Sequence, residues 1–189
     1  LTRLPRAPET AHRRTPRAYD ARMQFGTAIA QGLNVSVWYA DVLVKSISAD
    51  TFSHMPKKDF NSPAFCLGHL SIYPPRILAM LGRQDLVVPN PAGWEELFKA
   101  GVQCVDEPGK YPSKDAIVEH WAKGCAACDV ALKGVSNAVL EEANPAEGRM
   151  KEMFPTKGAA VNFLCVGHPS VHLGQISMWR RAMGLGSAV

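Results

Sequence analysis

The 189-residue sequence has no clean alternation of apolar and polar residues, no internal repeat and no even-numbered cysteine framework. Without period-two patterning there is little to build strands from, so an all-β or α/β sheet is excluded as the main architecture. The five cysteines (Cys66, Cys104, Cys125, Cys128, Cys165) are odd in number and widely spread. That is unlike a secreted disulfide scaffold and fits reduced thiols in a cytoplasm. Charge of one sign is also missing from most of the chain. Residues 1–22 hold six arginines against Glu9 and Asp20, whereas from Met23 onward fifteen basic residues balance fifteen acidic ones. The net charge of +4 is therefore the charge of a Pro/Arg-rich arm. A nucleic-acid binder needs its basic stripe on the folded surface, so no nucleic-acid partner is expected. The arm has no apolar centre of the kind a secretory signal carries. Residues 158–179 are free of formal charge and long enough to span a bilayer, but they contain Asn162, His168, His172 and Gln175. They are read as a buried helix with a polar task, and no membrane partner is expected.

With 47% hydrophobic and 20% charged residues, the rest is ordinary globular composition. A chain of this size buries roughly 70% of its unfolded surface and needs no metal for stability. The apolar residues fall at helical spacing. The pattern predicts an all-α, four-helix bundle in residues 23–189, with the arm in 1–22. The first helix is expected over Met23–Ser48. The second starts at the Ser62-Pro63 cap and runs to Gly82, with a kink at Pro74-Pro75. The third is expected over Ser113–Glu142 and the fourth over Gly158–Met183, where Arg180 and Arg181 suit the helix's own C-terminal dipole. Between helices two and three lies a long loop, residues 83–112, with at most a short helix at Trp94–Ala100. Such a loop can cross the bundle and let its flanking helices run parallel, and it is expected to cover part of the functional site.

On the fourth helix His168 and His172 are one turn apart on the inward stripe, so two imidazoles can reach one ion. His69, on the inward stripe of helix two, can supply a third ligand from the opposite wall. Three neutral imidazoles leave a divalent ion with its full charge and an open position for water, the donor set of a catalytic centre. Gln175 lies one turn past His172 as an orienting neighbour. Tyr73, Trp179 and Trp94 are candidate pocket walls. Two rival spacings exist. Cys66-x2-His69 and Cys165-x2-His168 can form a closed, structural Cys2His2 site, though this strands His172. Cys125-Ala-Ala-Cys128 has redox spacing but lies deep inside a helix, where packing is the simpler role. His12, His54 and His120 have no partner at ligand spacing and are read as surface or loop residues. Asp41, or Glu119 beside His120, can supply a hydrogen-bond acceptor or general base behind the site, but each is read as solvated.

The segment Asn61-Ser-Pro-Ala-Phe-Cys-Leu-Gly-His-Leu70 resembles the second-helix motif of the DinB/YfiT-like superfamily. His168-Pro-Ser-Val-His-Leu-Gly-Gln175, followed by Trp179-Arg-Arg-Ala-Met-Gly184, is similar to its fourth-helix signature. Trp94-Glu-Glu-Leu-Phe98 and Tyr111-Pro-Ser113 are similar to a subgroup with an extended second loop. The resemblance covers about residues 25–186 and departs from the pattern at Pro169 and Pro74-Pro75. It implies an up-down-down-up four-helix bundle, often a homodimer, with a divalent ion (zinc, nickel or iron) on His69, His168 and His172. It further implies a metal-dependent hydrolase or a transferase using a low-molecular-weight thiol, acting on a small-molecule substrate. The other class of function left open is a bundle that binds metal or ligand without turnover.

Overall fold

The computed structural model describes residues 24–107 and 109–189, so the expected basic arm, His12 included, lies outside the described residues. Those residues are helical, and their one strand-like pairing is an isolated bridge between Ala143 and Thr156. None of their helices is long and apolar enough to cross a membrane.

The helices are α1 (Phe25–Lys45), α2 (Pro63–Ser71), α3 (Pro74–Met80), α4 (Trp94–Phe98), α5 (Lys114–Gly134), α6 (Asn137–Glu141), α7 (Arg149–Met153), α8 (Lys157–Asn162) and α9 (His168–Ala182). Three of the four expected helices are thus divided. The second breaks at Ile72 and Tyr73, because Pro74 and Pro75 have no N–H to return to the turn before them and instead open α3 at its first positions. The third stops at Gly134, and Ser136 begins α6 by accepting a hydrogen bond from the Val139 N–H. In the fourth, a π turn over Phe163–Gly167 joins α8 to α9.

That π turn has a local cause. Pro169 cannot donate to the Cys165 carbonyl four residues back, and the ladder widens so that the His168 N–H reaches Phe163 O instead. One extra residue enters the turn and rotates everything after it. Up to and within the turn the buried residues are Ala160, Val161, Leu164 and Cys165; after it they are Pro169, Leu173, Ile176, Trp179 and Arg180. His168 and His172, expected at the centre of the stripe, stand at its half-buried edge.

Paired contacts give the directions of the long elements. Gly26 lies against the Leu132 carbonyl, while the Lys114 ammonium donates to the carbonyls of Val44 (2.8 Å) and Ile47 (2.6 Å), so α1 and α5 are antiparallel. Gly32 meets Val166 and Arg180 reaches the end of α1, so α1 and α9 are parallel. Phe65 touches Tyr111 just before α5, and Pro74 packs on Gly124, so α2 and α3 run along α5 in the same sense. The loop between them therefore spans the molecule's length, as its size requires. Each of α1, α2, α5 and α9 packs on two of the others around one core. Leu33, Leu43, Leu67, Leu70, Ile117, Leu132, Ile176 and Trp179 meet there, each worth about 1.5–3 kcal/mol in apolar burial.

Arg180 serves a different helix end from the one expected. Its guanidinium is buried and donates to Leu43 O at 2.7 Å and Ser46 Oγ at 2.8 Å, neutralising the C-terminal carbonyls of α1.

Candidate metal centre

His69, His168 and His172 converge. Their ligand atoms lie within 4.8 Å of one another, and among the described residues no cysteine or carboxylate joins the cluster. His168 Nε2 is 3.0 Å from His69 Nε2 and 3.1 Å from His172 Nε2. Two nitrogens on one tetrahedral ion at about 2.0–2.1 Å stand roughly 3.3–3.4 Å apart, so a shift of a few tenths of an ångström seats an ion.

Hydrogen bonds on the far side of the rings decide what those nitrogens carry. His69 Nδ1 lies 2.6 Å from the Phe98 carbonyl, which can only accept, so Nδ1 bears the proton and Nε2 is a bare lone pair. His172 Nδ1 lies 2.9 Å from Gln175 Oε1. The same oxygen takes hydrogen bonds from Asn61 Nδ2 (3.3 Å) and the Cys66 thiol (3.4 Å), which orients the amide with its oxygen towards His172. His172 Nε2 is therefore bare as well. His168 holds at most one proton to share between two lone pairs, and its Nδ1 is buried without a partner. A cation at the meeting point uses all three lone pairs at once. The donor set fits a divalent ion.

The electrostatics agree. Burial, then the neighbouring His172 and His69, push the His168 imidazole down to about 3. Burial and His69 push His172 down to about 4 against the raising effect of Gln175. Burial lowers His69 too, opposed by its bond to Phe98 and helped by Arg76. All three rings are neutral at pH 7, the form that ligates.

The long loop reaches this site from behind. Phe98, from α4, lays its ring on α2 over Gly68; a Cβ there would stand 2.3 Å from the ring carbons. Only glycine lets the loop approach so closely, and the approach brings the Phe98 carbonyl to His69. The Phe98 contact is on the Nδ1 side, so here the loop buttresses His69 from behind, whereas the sequence predicts a loop that covers part of the site's open face.

Of the three expected pocket walls, Tyr73 stands edge-on to His69 and His168, with ring centroids 5.1 and 4.7 Å away. Trp94 packs on Phe98 and His120 and borders a surface depression of about 600 Å³ that none of the three histidines lines. Trp179 is fully buried, its Nε1 donating to His54 O at 2.7 Å. A separate cavity of about 530 Å³ lies between α1, α6 and α8, with Val166 but no triad histidine on its wall.

Cys66 is engaged with Gln175, and neither Cys66 nor Cys165 enters the cluster, so the closed Cys2His2 arrangement is not formed. Cys125 and Cys128 are buried and free, and burial drives both thiols up, Cys128 to about 12. His54 is half-exposed and pairs with Asp106 at 3.1 Å. Glu119 is exposed beside Lys123. His120 departs from the surface reading. It is buried, with its Nε2 3.1 Å from Asn90 Oδ1. Its place could not be seen in the sequence because its partners come from the loop. Phe163 was also missed: its ring stacks at 5.7 Å on His168, and only the π turn aims it there.

The chain matches no known family model and no curated protein.

Proposed function

We propose that this chain is a metal-dependent enzyme acting on a small molecule, built as a DinB/YfiT-like four-helix bundle in which His69, His168 and His172 hold one divalent ion. The observation that carries the reading is the pair of bare Nε2 atoms, fixed by Phe98 O and Gln175 Oε1, aimed at the third imidazole. An ion in such a site supplies Lewis acidity towards a carbonyl or similar electrophile and a place for a nucleophile, either water or a thiol. The chain's own residues do the rest. Phe98 and Gln175 hold the ligand tautomers, and Tyr73 and Phe163 wall the rings from two sides. The order and direction of the long helices and the two histidine motifs support the family reading. The reaction is hydrolysis or thiol transfer, and zinc, nickel and iron all accept imidazole ligands.

The test is elemental analysis of protein purified without a nickel column, beside His69→Ala, His168→Ala and His172→Ala. One ion per chain in the parent and none in the variants is the expected result. Ester, amide and thiol-conjugate substrates are then assayed with and without chelator. Bound metal with no chelator-sensitive turnover would favour a binding bundle, the reading suggested by the lack of a carboxylate in the cluster. A parent that takes up no ion ends the proposal.

A further inference from the structure

A divalent ion on three neutral imidazoles would keep its full positive charge, and among the described residues the cluster has no carboxylate to offset it. A second fixed cation stands nearby. Arg76 lies one helical turn beyond Tyr73 on α3, its guanidinium carbon 4.8 Å from the Tyr73 ring centroid. That centroid is 4.7 Å from the His168 imidazole. The guanidinium carbon thus stands within about 10 Å of the His168 ring, the length of a small molecule.

Arg76 is held more firmly than a surface arginine needs to be. Its Nη2 donates to Glu95 Oε2 at 2.6 Å. Glu95 Oε1 accepts from Asn90 Nδ2 at 2.7 Å, and the same amide nitrogen donates to Ile72 O at 3.1 Å. Asn90 Oδ1 accepts from the buried His120, whose ring rests on Trp94. The chain of contacts runs from the core through the long loop and ends on one guanidinium. Surface ion pairs contribute little to stability, so the pair is a poor reason for so much support. Glu95 occupies one edge of a planar fork that carries five N–H donors. The Arg76 side chain rests on the Tyr73 ring yet remains 45% exposed, so part of it still meets solvent.

Resting on the metal reading above, we infer that Arg76, set in place by Glu95 and Asn90, is the anchor for an anionic group on the substrate, whose other end meets the ion. The substrate class is a small carboxylate-bearing molecule with a second oxygen or sulfur function several bonds away. Tyr73 lies between the two points of attachment and offers its ring to the linking atoms.

Calorimetric titration of the zinc-loaded protein tests this with α,ω-dicarboxylates from malonate to adipate, and with butyrate as a one-ended probe. The expected result is an optimum chain length within the dicarboxylates, which bind tighter than butyrate. Arg76→Gln should lower the best dicarboxylate's affinity about 10-fold or more and remove most of its advantage over butyrate, with zinc stoichiometry unchanged. Arg76→Lys should recover part of the loss and guards against a misfolded Gln variant. Equal dicarboxylate affinity in parent and Arg76→Gln overturns the anchor, as does the lack of any preference over butyrate. In either case normal zinc uptake leaves the metal reading standing. A parent that fails to take up zinc removes both.

Discussion

Two groups of metal-friendly side chains lie in this molecule, and they have opposite characters. Cys125, Cys128 and Cys165 sit in the apolar core, and burial holds their thiols protonated. His69, His168 and His172 are shifted by burial too, but burial of a base favours its neutral form, which is the form that binds metal. Desolvation thus disarms the cysteines and arms the histidines. The second difference lies in the outer partners. Two of the histidines are aimed by Phe98 O and Gln175 Oε1, whereas the nearest polar contact of Cys128 is Pro74 O at 3.8 Å. Residue type alone does not make a site; a fixed direction does.

The comparison breaks most sharply under His168→Ala. Removing the nitrogen that faces both others should weaken metal binding by at least about 100-fold, beyond the effect typical of an outer partner. Equilibrium dialysis against a chelator reads the loss. If affinity stays within a factor of a few, the three nitrogens are not a shared site.

Gln175→Ala leaves every ligand in place but frees His172 to turn. The expected cost is about 10–100-fold in metal affinity with the fold intact by circular dichroism. Gly68→Ala should act on the other side, displacing Phe98 and with it the carbonyl on His69. A loss of about 1–3 kcal/mol in chemical denaturation, together with weaker metal binding, is expected from the overpacked contact. Stability lost with metal affinity untouched would detach the loop from the site.

Acid separates metal-free from metal-loaded protein more gently. The unfolded chain protonates these imidazoles below about pH 6.5. The folded chain resists until about 4 at His172 and about 3 at His168. Protons therefore favour the unfolded state as the pH drops. The stability owed to neutral imidazoles is complete above about 6.5 and declines through the acid range, and bound metal should hold the Tm higher over the upper part of it. A metal-free Tm that is flat from pH 7 to 4.5 contradicts the depressed titrations. The smallest effect is expected from Cys125→Ser, about 1 kcal/mol of stability and no change in metal uptake, as befits a packing thiol.

Much of this was visible in the residue order. The meeting of His69, His168 and His172, with Gln175 beside it, follows from helical spacing and from motif. The long loop announced itself through its prolines and glycines, and its crossing direction through its length. What spacing could not show was rotation. A 3.6-residue period carried through Pro169 puts both histidines at the centre of the core, whereas the π turn moves them to the edge facing α2. Trp179 was misplaced for the related reason that a stripe does not distinguish a pocket wall from the core. The roles of Phe98, Asn90 and His120 rest on contacts 29 or 30 residues apart in the chain, which no local pattern encodes.

Cobalt substitution tests the central claim most directly, because the visible spectrum of bound Co(II) reports both coordination number and ligand type. The account predicts one Co(II) per chain with the strong visible bands of a four- or five-coordinate site, no sulfur-to-metal charge-transfer band in the near ultraviolet, and loss of the signal in His168→Ala. A thiolate band would place a cysteine on the ion. That result, or a weak six-coordinate spectrum indifferent to His168→Ala, would contradict the three-histidine centre.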